Sequence, residues 1–96
     1  MTIEAYNRIH ALPEVLTAFG FVDCVGKPID RDWAEMVYDA IERDMRAVTS
    51  VNFLVIRLTD IKVGKTGVTY KEEPKIIEIT PDGYYAFRAP LKEELA

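Results

Sequence analysis

Val51-Asn52-Phe53-Leu54-Val55-Ile56-Arg57-Leu58 is apolar on both of its sides. Successive side chains of a strand point to opposite faces, so Val51, Phe53 and Val55 share one face and Leu54, Ile56 and Leu58 the other. A strand of this kind needs cover on both faces, from its own chain or from a partner. The segment reads as a central strand, and the rest of the chain has to supply the layers around it.

Toward the C-terminus the period of two persists. Residues 61–63 continue the strand past a bulge near Thr59-Asp60. Gly64-Lys65-Thr66-Gly67 reads as a turn, 68–71 as a return strand, Glu72-Glu73-Pro74 as a second turn, and 75–80 as a further strand. Thr80-Pro81-Asp82-Gly83 is a hairpin signal, since proline presets the first turn residue and glycine accepts positive φ. Residues 84–88 close the meander, and 89–96 read as a frayed tail in which Pro90 limits any helix.

Toward the N-terminus the period becomes helical. Trp33, Met36, Val37, Ala40, Ile41, Met45 and Val48 form one stripe, which places a helix over about residues 30–48. Asp30 is its N-cap, Asp32 and Glu35 suit the positive end of the dipole, and Arg43 and Arg46 the negative end. Before it, Ile3, Tyr6, Ile9, Leu12, Leu16 and Phe19 recur at steps of three or four. Pro13 interrupts that helix and should bend or restart it, and Gly20 ends it. Residues 21–25 read as an extended linker closed by Gly26-Lys27-Pro28. The expected architecture is a single α+β domain over residues 1–96. Two N-terminal helices (1–48), the first broken near Pro13, precede a four-stranded antiparallel β-meander (49–88) and a tail, with the helices on one sheet face.

Composition bounds the function. The 96 residues are 49% hydrophobic and 29% charged, which excludes low-complexity disorder and collagen-like repeats. Twelve basic against sixteen acidic groups leave a net charge of −4, and the chain lacks the overall basic footprint on which non-specific nucleic-acid binding depends. Residues 1–48 carry five basic and nine acidic groups and 49–96 carry seven of each, so the formal negative charge belongs to the helical half. Met1-Thr2-Ile3-Glu4 runs straight into a helical pattern without a secretory signature. The longest continuous apolar stretch is too short to cross a bilayer, and a lone Cys24 cannot form an intramolecular disulfide. A cytoplasmic location without membrane contact is the expectation.

Each chemical motif has a simpler structural reading. Gly64-Lys65-Thr66 resembles the end of a phosphate loop, but Thr59 stands where a glycine is needed and a strand follows instead of a helix. One His10 and one Cys24 make neither a closed zinc site nor a nucleophilic pair unless the fold joins them. No catalytic residue, metal site or cofactor is expected. Asp44 is the oddity, because at about 100° per residue it points with Trp33, Val37 and Val48. There a carboxylate must reach solvent or Arg57, meet another subunit or a partner, or act as a buried functional acid. Asp32, Glu35, Asp39 and Glu42 form an acidic ridge on the opposite side, a solvated face or a docking surface for a protein. Tyr70, Tyr84, Tyr85 and Phe87, with Lys62, Lys65, Lys71, Lys75 and Arg88, either stack bases or pack across strands.

These readings converge on a small interaction or regulatory module, self-associating as a dimer and meeting a protein partner through the acidic ridge. The alternatives are a ligand-binding domain or enzyme with a helix–sheet pocket built on Asp44, His10, Tyr38 or Arg57, and a nucleic-acid-associated regulator.

Overall fold

The computed structural model describes residues 1–44 and 49–95. Its elements are α1 (Ile3–Ala18), β1 (Phe21–Asp23), α2 (Arg31–Asp44), β2 (Val51–Gly64), β3 (Gly67–Ile79), β4 (Tyr85–Arg88) and a 3₁₀ turn (Lys92–Glu94). The four strands form one antiparallel sheet in the order β1-β2-β3-β4. This is the expected α+β class, with two helices and a four-stranded antiparallel sheet.

Thr2 caps α1, its hydroxyl accepting the Ala5 amide at 3.1 Å. Ala5, Ile9, Leu12 and Leu16 are its buried side, while Ile3 and Phe19, at the ends of the expected stripe, are exposed. Pro13 does not divide the helix: Ile3–Ala18 is one element with the proline inside. An interior proline costs about 3 kcal/mol. Ile9, Leu12 and Leu16, fully buried on both sides of it, are each worth roughly 1.5–3 kcal/mol, enough to hold one helix together. Asp30 caps α2 as expected, accepting the Trp33 amide at 3.2 Å. Trp33, Ala34, Val37, Ala40 and Ile41 are buried there, and Met36 is exposed instead of sharing the core. The expected helical positions 45–48, including Met45, Arg46 and Val48, lie outside the described residues.

The sheet differs from expectation in two strands. Residues 21–23, read as a linker, form an edge strand with Phe21, Val22 and Asp23 opposite Arg57, Ile56 and Val55. Phe21 drives this by burying its ring in the core. Glu72-Glu73-Pro74 is not a turn: β3 runs through it, with Pro74 opposite Ile56. The Leu58 amide donates to the Gly20 carbonyl, so even-numbered residues of β2 direct their peptide groups toward β1 and odd-numbered ones toward β3. Pro74 then faces the β4 side, and β4 ends at Arg88, opposite Ile76. The missing N–H points at a free edge, where proline is tolerated.

Ile9, Leu12, Leu16, Phe21, Ile29, Trp33, Val37, Ala40 and Ile41 pack with Val51, Val55, Ile77 and Ile79 in one core, against which Phe53 is half-buried. The sheet residues among them come from a single face of β2 and β3. The turn at 81–83 fits closely against α1. Gly83 has φ +84°, and a Cβ there would stand 2.9 Å from the Ala5 carbonyl oxygen and from Arg8 Cβ. Residues 92–95 are not a loose tail. Arg88 holds Glu94 through two hydrogen bonds of 2.6 and 2.8 Å, and the same carboxylate accepts the Leu91 amide at 2.8 Å.

Candidate functional site

The two faces of the sheet receive different cover. Leu54, Ile56 and Leu58 are partly exposed and stand outside the core cluster. Opposite them in register are Ile76, Pro74 and Glu72, with Val22 of β1 opposite Ile56. Tyr70 and Val68 continue this face along β3, and Val63 lies opposite Val68. The result is an apolar strip that lies outside the core packed by α1 and α2 among the described residues, although Ile76 within it is only 3% exposed.

Its outer part projects from the body. At the bulge, register shifts between Thr59 and Lys62, and Asp60 takes φ 52°. Every residue from 60 to 73 is exposed. The molecule measures 51 × 28 × 17 Å with a radius of gyration of 14.6 Å, against about 12.5 Å for a compact chain of this length. The arm has two chemistries. Val63, Val68 and Tyr70 lie on the open-face side, and Lys62, Thr69 and Lys71 on the other. Lys71 pairs with Asp60 at 3.3 Å.

The acidic ridge lies along α2, with Asp32, Asp39 and Glu42 exposed and Glu35 half-buried. Glu35 is partly used within the fold: one of its oxygens lies 3.0 Å from His10 Nε2 and 3.9 Å from Arg31. His10 Nδ1 faces the Tyr6 carbonyl at 2.9 Å. Both acceptors are oxygens, so only the doubly protonated ring donates to both. Tyr6 stacks on His10 at 4.0 Å and meets Tyr38 edge-on at 5.5 Å, tying α1 to α2. Glu42 above all holds the Tyr38 hydroxyl above its ordinary pKa, with burial adding to it. Glu42 also lies 3.8 Å from the N-terminal ammonium.

Other sequence candidates do not converge. Asp44 ends α2, 41% exposed and 3.5 Å from Arg43, so its partner is Arg43 instead of Arg57 and the carboxylate is not buried. Arg57 donates to the Phe19 carbonyl. Cys24 is exposed in the turn after β1, and both His10 nitrogens are turned to Tyr6 and Glu35 instead. Gly64-Lys65-Thr66 is the hairpin tip between Gly64 and Gly67. The aromatics are dispersed: Tyr84 lies under the Arg8 guanidinium at 4.4 Å, Phe87 stacks on Phe21 at 5.0 Å with Tyr85 edge-on at 5.7 Å, and Tyr70 is on the arm. Tyr84, Tyr85 and Phe87 serve as packing, Tyr70 stands apart from them, and the four give no continuous stacking platform. Among the described residues no three His, Cys, Asp or Glu side chains group closely enough to hold a metal ion, and no helix is long and apolar enough to cross a membrane.

A cleft of about 490 Å³ opens between the start of α2 and the sheet. Asp23, Cys24, Lys27, Asp30, Asp32, Trp33, Met36, Phe53 and Leu54 line it. Asp23 reaches it through its own turn, accepting the Val25 and Lys27 amides at 3.0 and 2.8 Å. Trp33 forms its floor, edge-on to Phe53 at 5.9 Å. Sequence spacing marks Asp30 as a cap and Trp33 as core. It gives no signal that both meet Asp23 around an opening, because that depends on where β1 stops.

Compared with protein-family models, curated proteins and solved structures, the chain finds no match.

Proposed function

We propose that this chain is a small protein-interaction module that self-associates through the open face of its sheet and meets a protein partner through the outer face of α2. The observation that carries the reading is the apolar strip itself. Leu54, Ile56 and Leu58 continue into Tyr70, Val68 and Val63, on an arm whose residues have no cover from the body. Contiguous exposed apolar surface marks interaction sites in soluble proteins. A strip shared with a second copy around a two-fold axis would cover both at once. Asp32 and Asp39, with Glu42 beside the N-terminal ammonium, present a negative face to a basic partner. The exposed Cys24 thiol suits a reducing, cytoplasmic setting.

Sedimentation velocity at micromolar concentration tests the first half, with a dimer expected. Val68→Lys, on the arm and 56% exposed, should shift the molecule to monomer without loss of folding. A wild-type chain that remains monomeric defeats self-association. A dimer unaffected by Val68→Lys moves the interface off this face. For the second half, Asp39→Lys should abolish partner binding while leaving the dimer intact.

A further inference from the structure

The cleft at the start of α2 joins two kinds of wall. Its floor is apolar: Trp33 meets Phe53 edge-on at 5.9 Å, with Met36 beside them. Its rim is acidic, where Asp23, Asp30 and Asp32 stand against a single Lys27. The chain after β1 closes a further side, because the Asp23–Val55 pairing places Cys24 opposite Leu54. The recess is open to solvent, and its 490 Å³ lies within the roughly 300–1,000 Å³ of small-molecule sites.

The fold uses the polar groups of this recess only in part. Asp23 commits one oxygen to the Val25 and Lys27 amides, and Asp30 one to the Trp33 amide. The second oxygen of each has no partner among the described residues. Asp32 and the Lys27 ammonium make no ion pair there either. Trp33 is 7% exposed. Its indole N–H has no hydrogen-bond partner among the described residues, and no enclosed side-chain nitrogen or oxygen there lacks one. The N–H therefore meets solvent through the cleft it lines. A bare metal ion does not suit the arrangement, since among the described residues the carboxylates do not group closely enough to ligate one. Acid above an aromatic floor suits an organic cation, and the free indole N–H calls for an acceptor on the same ligand.

We propose that this cleft binds a free basic amino acid of the arginine class. Rings and carboxylates together favour a guanidinium, which stacks on aromatic faces and donates in a planar fork. Its aliphatic stem suits the apolar floor at Phe53 and Met36. The ligand's carboxylate is the acceptor for the Trp33 N–H and the Lys27 ammonium, and its α-ammonium adds a second positive group. Two positive groups and one negative on the ligand thus meet three carboxylates and one ammonium on the wall. Asp39, Glu42 and the arm do not line the cleft, so the inference is independent of the partner surface and of self-association.

The probe is L-arginine, titrated at constant ionic strength. Trp33, the single tryptophan, reports by fluorescence and its indole N–H by NMR. The expected result is a saturable change with a midpoint at or below about 1 mM, accompanied by a shift of the indole resonance. L-Citrulline, which keeps the shape without the cationic side chain, should bind at least about tenfold more weakly. Agmatine, which lacks the carboxylate, should bind at least about fivefold more weakly. Asp30→Asn with Asp32→Asn should cost about tenfold while α2 stays capped, since asparagine caps as well as aspartate. Val68→Lys and Asp39→Lys should leave the midpoint within about twofold at physiological salt, which separates this site from the two surfaces proposed above. The proposal is overturned by absence of saturation up to about 10 mM, or by equal binding of citrulline or agmatine. It is equally overturned if N-acetyl-arginine amide binds as well as arginine, because the cleft then takes an arginine side chain of a protein.

Discussion

At its body end the β2–β3 ladder sets Val51 opposite Ile79 and Phe53 opposite Ile77 beneath two helices. At its far end the same ladder sets Val63 opposite Val68 in solvent. Pairing is antiparallel throughout, broken only by the bulge between Thr59 and Lys62. Ile77 and Ile79 are fully buried, whereas Val63 is 83% exposed. Residue type does not separate the two ends, since β-branched side chains occupy both. Strand formation is thus a local matter of pleat, turn and backbone pairing, while burial depends on where the helices end.

That contrast can be challenged quantitatively. Ile77→Ala should destabilise the monomer by about 2–5 kcal/mol, and Val68→Ala by no more than about 0.5 kcal/mol, as read from urea midpoints. Comparable costs at the two positions would mean that the arm packs on the body after all. Gly83→Ala tests how tightly the body end is closed. Positive φ and the 2.9 Å approach to Ala5 and Arg8 together predict a loss of about 2–4 kcal/mol, with the arm's amide resonances unmoved. A neutral effect would show that α1 and the 81–83 turn are free to separate. Pro13→Ala is expected to work in the other direction, raising stability by about 1–2 kcal/mol as the missing helical bond is restored. An unchanged midpoint would mean that the proline ring's own packing offsets that bond.

The smallest expected effect concerns the end of the chain, where Arg88 holds Glu94. The hydrogen bonds from Arg88, with that from the Leu91 amide, bring the Glu94 carboxyl from its ordinary 4.5 down to about 2. The folded value is the depressed one. The fastening is therefore complete above the ordinary carboxylate range and is lost as pH falls through about 2. An NMR titration of the Leu91 amide should show its inflection near that lower value. An inflection at the ordinary carboxylate pKa would mean that the turn is not fastened in solution.

Much of this was legible in the residues. Asp30 as a cap, the bulge at Thr59-Asp60, the Thr80–Gly83 turn and the two apolar faces of 51–58 all follow from local rules, and all are present. The misreadings share one cause. Pro74 reads as a break until it is known which way its absent N–H points. Pro13 reads as a break until Ile9 and Leu16 are seen buried on both sides of it. Phe21 reads as part of a linker until its ring is found in the core. Of the candidate sites, the acidic ridge was legible because it is periodic on one helix. The cleft was not, since Asp23, Trp33 and Leu54 belong to three different elements.

Taken alone, the order of residues determined the α+β class, the helix starts, the turns and the two-faced strand, because these depend on spacing over a few positions. Only the tertiary structure decided which face of that strand the helices cover, that residues 21–23 pair with it, and how far the hairpin reaches beyond the core. Those outcomes depend on side chains that meet across dozens of intervening residues, and no local period encodes such meetings.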